Sequence, residues 1–81
     1  MPKSLYSTRH KMIADAIATG RRAKGLSQAQ VAKSLGRHQP FIANIESGER
    51  RVDLVELLDL AAIVNLDVEA LVRELQNVKK D

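Results

Sequence analysis

"SQAQVAKSLGRHQPFIANIES", residues 27–47, holds two short helix-like runs separated by a glycine, and the second run carries a proline near its start. Ser27 can accept from the free amides of a first turn while Gln30 reaches back to the Ser27 amide, the reciprocal cap that opens a helix. Val31, Ala32 and Leu35 then form an inward stripe. Gly36 supplies the positive φ that a tight turn needs. With His38 as the next cap, Gln39 and Pro40 take the first two helical positions, where amides have no intrahelical partner and a missing N–H costs little. Proline here starts a helix.

At about 100° per residue, Phe41, Ile42 and Ile45 fall on one arc of that helix, and Gln39, Pro40, Ala43, Asn44 and Ser47 on the opposite one. The outward arc contains no lysine or glutamate, the usual fillers of an exposed helix face, so its composition suits contact with something other than water. Ala32 is small where the two helices would cross, and Leu35, Ile42 and Ile45 can lock them from below. Residues 27–47 therefore read as a helix-turn-helix.

Outward from this unit, the remaining segments are also helical. A first helix begins after Ser7 or Thr8, directs Ile13 and Ile17 inward and stops at Gly25. Gly20 weakens it by about 1 kcal/mol relative to alanine, so tertiary contacts are expected to hold that turn. "SGERR", residues 47–51, breaks the third helix at Gly48. Asp53 and Glu56 make an acidic cap for a fourth, whose buried side is expected to be Leu54, Leu57, Leu58, Ala61 and Ala62. Asp67 caps a fifth over residues 67–78, where Val68, Leu71, Val72, Leu75 and Val78 make a broad apolar face suited to dimerisation. The expectation is an all-α, compact five-helix single domain over 1–81, with residues 1–6 loose.

Composition narrows the function. The 81 residues include no Cys, no Trp, one Phe and one Tyr, so there is no disulfide framework or thiolate metal site, and the core is thin. No signal peptide or long apolar run is visible, which makes a cytoplasmic protein the default and excludes the membrane. Residues 1–51 carry ten Lys or Arg against three acids, net +7, and residues 52–81 three against seven, net −4. The first part is suited to a polyanion. No nucleophile–base pair, phosphate-cradling glycine loop or paired carboxylates in a cleft is present, so no enzyme activity, cofactor or small-molecule ligand is expected. The two histidines are too few and too far apart for a metal; His10 is expected at the surface.

Residues 13 to about 72 resemble the phage-repressor type of helix-turn-helix domain, the lambda-repressor-like or Xre family. "KGLSQAQVAKSLG" (24–36) and "IANIESGERR" (42–51) carry the resemblance. It implies five helices, a third helix placed in the DNA major groove, and dimers on two-fold operators. Arg37 stands where a small apolar residue is common in that family, and Gly20 where leucine is frequent. Gln39 and Asn44 match positions that read base edges, and an amide can bond adenine N6 and N7 together. Ala43 between them leaves room for a thymine methyl, and His38 lies beside them. Gln28, with Ser27, matches the helix start that grips a phosphate. Arg37, Arg50 and Arg51, with Lys33, are placed to reach flanking phosphates. Arg21 and Glu46 match an ion pair that ties the first helix to the third.

The expected function is a sequence-specific DNA-binding transcriptional regulator, acting on double-stranded DNA as a homodimer in the manner of a small repressor. The alternative is an antitoxin or adaptor using the same scaffold to hold a protein partner through residues 68–78.

Overall fold

The computed structural model describes residues 7–80 and consists of five α-helices with no strand among them. The expectation of a loose segment at residues 1–6 lies outside the described residues. The helices are α1 (Thr8–Ala23), α2 (Gln28–Ser34), α3 (Gln39–Ser47), α4 (Leu54–Val64) and α5 (Val68–Gln76).

Each start follows from a short polar side chain. Ser7 Oγ accepts from the His10 amide at 3.1 Å and opens α1. Ser27 and Gln30 exchange both bonds of the cap at α2, at 3.0 and 2.8 Å. Asp53 and Glu56 do the same at α4, and Asp67 caps α5 through the Ala70 amide. The exception is α3: His38 has the extended cap backbone, but its side chain makes no capping bond. Pro40 near the start supplies the preset φ instead. Gly36 turns the chain between α2 and α3 at φ 70°, where a side chain would be strained.

One apolar cluster holds the five helices: Ile17, Val31, Ala32, Ile42, Ile45, Leu57, Leu60, Val64 and Leu71. α1 packs on α3, α4 and α5, and α2 packs on α3 and α4. Gly20 explains itself here. A Cβ at that position would stand 3.1 Å from both Cγ2 and the carbonyl oxygen of Val64, so a small residue lets α1 approach the end of α4.

Three sequence expectations need correction. His10 is buried rather than at the surface, and its Nε2 is 3.1 Å from the Gly48 carbonyl, fixing the first turn of α1 to the end of α3. On α4 the buried residues are Leu57, Leu60, Ala61 and Val64. Leu54 and Leu58 are 66 % and 50 % exposed, Val55 is 67 % exposed, and Ala62 is exposed. Nearly every side of α4 is apolar, so its pattern carries no phase. The expected dimerisation face of α5 is largely turned inward: Leu71 is 4 % exposed and lies in the core, with Val68 and Leu75 packed against it. Val78 is half-buried, and its carbonyl accepts from Arg9 Nη2 at 2.8 Å. Val72 alone of these five is exposed.

Candidate nucleic-acid interface

The core fixes which way α3 faces. Ile42 and Ile45 are fully buried and Phe41 is half-buried, so Gln39, Pro40, Asn44 and Ser47 are exposed on the other side, with Ala43 half-buried between them. The Asn44 side-chain amide makes no hydrogen bond among the described residues, and His38 is exposed at the helix start. The two amides expected to read bases therefore share one solvent-facing side of a helix whose opposite side is anchored.

Gln39 is also held from behind. Arg21 donates to Glu46 through Nε (2.6 Å) and Nη2 (2.9 Å), and through Nη1 to the Leu26 carbonyl at 2.9 Å. Glu46 Oε1 further accepts from Gln28 Nε2 at 3.0 Å, and Gln28 Oε1 accepts loosely from Gln39 Nε2 at 3.4 Å. This series of bonds runs from a largely buried ion pair to the exposed start of α3. Burial by itself would raise the Glu46 carboxyl, but the bonds from Arg21 and Gln28 outweigh it and hold the group below its ordinary value. The same hydrogen bond raises Arg21. Both remain charged over the neutral range, so the link persists. The sequence indicated Arg21–Glu46; it did not indicate that Gln28 would bridge that pair to Gln39.

A second group lies at the base of α3. The guanidinium carbons of Arg37 and Arg50 each stand 4.5 Å from the Phe41 ring centroid, within cation–π range. Arg50 forms a two-pronged pair with Glu56, Nη1 to Oε1 at 3.0 Å and Nη2 to Oε2 at 2.8 Å, and Arg37 Nη2 is 3.9 Å from Oε2. The Arg50 bond holds the Glu56 carboxyl low, and Glu56 in turn raises Arg50. Two arginines from separate loops, with twelve residues between them, are thus gathered around one aromatic ring.

The remaining candidates are Ser27, Lys33 and Arg51. Ser27 Oγ is occupied as an acceptor by the Gln30 amide, which leaves its hydroxyl proton free to donate. Lys33, in the last turn of α2, and Arg51, in the loop after α3, are exposed. No group of three His, Asp or Glu among the described residues could hold a metal ion. None of the described helices is long and apolar enough to cross a membrane.

The family model for a helix-turn-helix domain matches residues 13–75. An XRE-family like protein from Pseudomonas syringae pv. tomato str. DC3000 is similar in structure, with a TM-score of 0.78 and 32 % identity over 91 % of this chain and 90 % of that chain. The chain belongs to the XRE-type helix-turn-helix family. No curated protein matches it. The XRE-type assignment supports a DNA-binding regulator domain. Within this XRE-type domain, Phe41 lies in α3 and His10 touches its end, neither on its exposed side, and Gln28 links Glu46 to Gln39. The hydrogen bonds of Gln28 and His10 span 11 to 38 positions, and Phe41 joins two loops by stacking, so no local pattern marks these contacts.

Proposed function

We propose that this XRE-type domain is a sequence-specific transcriptional regulator that inserts α3 into the major groove of a near-palindromic operator as a homodimer. The observation that carries the reading is the side of α3 bearing Gln39 and Asn44: both amides are exposed together, and Gln39 is backed by a bonded series reaching a buried ion pair. Gln39 and Asn44 read base edges, Ala43 leaves space for a thymine methyl, and His38 sits at the groove edge. Ser27 and Gln28 at the start of α2 grip one phosphate stretch, with Lys33 beside them. Arg37, Arg50 and Arg51 serve the other flank.

Because the apolar face of α5 is largely used within the chain, the dimer contact falls to the exposed strip of α4, Leu54, Val55, Leu58 and Ala62. A strip without charge at its centre can meet its own copy across a two-fold axis without like-charge repulsion. The domain measures 34 × 28 × 20 Å, so two copies side by side bring equivalent surfaces about one duplex turn, roughly 34 Å, apart.

The test is selection of bound duplexes from a random pool at one stated salt concentration. A symmetric consensus is expected. Gln39→Ala and Asn44→Ala should each lose about 1–3 kcal/mol of discrimination at particular base pairs. A uniform loss across all duplexes would mean that the amides do not read sequence.

A further inference from the structure

We infer that Glu56 is a built-in competitor of the DNA backbone: it occupies the guanidinium edge of Arg50, so that a phosphate must displace a carboxylate to use that arginine, and it partly neutralises Arg37 nearby. The inference rests on the DNA-binding reading above and assigns a role to a residue outside the reading surface.

Three features of the geometry lead to it. First, the carboxylate takes both terminal nitrogens of Arg50, at 3.0 and 2.8 Å, in the fork arrangement that a phosphate would adopt. Nη1 also donates to the Arg51 carbonyl at 2.9 Å. One face of the guanidinium lies against Phe41, so a large part of its binding capacity is already spent. Secondly, the carboxylate is anchored independently of the arginine. Its Oε1 accepts from the Asp53 amide at 3.1 Å, and its side chain is only 15 % exposed. It therefore stays behind when Arg50 moves. Thirdly, Arg37 is held less tightly. Its side chain is half exposed, its nearest approach to Glu56 is 3.9 Å, and a cleft of about 100 Å³ lies between it, Leu35, Phe41, Glu56 and Asp59. Arg37 can swing away, whereas Arg50 must break two charge-assisted bonds.

The physical consequence is a tax on backbone contact. With one carboxylate shared by two arginines, the group carries +1 instead of +2, which weakens its attraction for any duplex. The charge that should grip every phosphate is partly cancelled until a duplex is seated closely enough to replace the carboxylate.

Glu56→Gln tests this, because glutamine serves equally at that position of a helix cap, as Gln30 already does in α2. Binding is measured on a fixed non-operator duplex as a function of salt, with helical circular dichroism confirming the fold. The variant should bind roughly tenfold more tightly at moderate salt. Its log–log salt slope should steepen by about 0.9 for each arginine released. Asp59→Asn removes the same charge one turn along α4, where Asp59 makes no ion pair among the described residues, and should have a much smaller effect. Arg50→Gln should weaken binding more in the Glu56→Gln background than in the native protein. Unchanged or weaker binding by Glu56→Gln, or an equal gain from Asp59→Asn, would overturn the competition. If the native protein bound no duplex even at low salt, the DNA-binding reading itself would fall, which is a different result from native binding that Glu56 does not affect.

Discussion

At the scale of single residues, carboxylates decide how this domain responds to acid. Glu46 and Glu56 both titrate below their ordinary value of 4.5. A carboxyl whose folded value is lowered stabilises the fold fully above its unfolded value, and that contribution disappears as pH falls through the folded value. Thermal stability should thus be level through neutrality and decline once the pH drops below about 4.5, as followed by circular dichroism melts across a pH series. Glu46→Gln should cost about 3 kcal/mol at neutral pH by leaving Arg21 without its partner, and its melts should be less sensitive to acid. An acid dependence equal to that of the native protein would show that another group governs the decline. The sequence revealed the exposed half of this site: Gln39 and Asn44 occupy an arc defined by spacing alone. It did not reveal Phe41 between two arginines or His10 on the Gly48 carbonyl, because each depends on how separate helices meet.

At the scale of elements, caps were legible and orientation was legible only for some helices. Ser27–Gln30 and Asp53–Glu56 follow a local code of four residues, so α2 and α4 began where expected. The buried side of α3 was equally clear, because polar and apolar residues separate cleanly around it. α4 has only Glu56 and Asp59 as charged residues, and with so little contrast the choice between Leu58 and Leu60 as a core residue belongs to the neighbouring helices. Gly20 lies at one of those contacts. Alanine there gains about 1 kcal/mol of helix propensity but puts a methyl 3.1 Å from Val64, so Gly20→Ala should bring no increase in melting temperature. Gly20→Leu should destabilise by about 1–3 kcal/mol. A clear stabilisation by either would mean that α1 and α4 can separate at little expense.

At the scale of the whole molecule, the exposed strip on α4 decides between two kinds of partner. Sedimentation of the pure chain should show a dimer, and Leu58→Glu should convert it to a folded monomer with much weaker operator binding. A native monomer would leave the strip for a different protein, as an adaptor would use it. Charge agrees with the proposed division of labour: the basic first 51 residues hold the exposed side of α3, while the acidic remainder holds the strip.

The first turn of α1 joins segments far apart in the chain: His10 meets Gly48 across 38 positions and Arg9 meets Val78 across 69. α2, its turn and α3 assemble over a span of about twenty residues, where loop closure is cheap, whereas those two bonds close loops of 38 and 69 positions. Assembly accordingly has a natural order. The helix-turn-helix can take shape early from near neighbours, and the opening turn of α1 then acts as a latch, fastening the bundle at both the end of α3 and the end of α5.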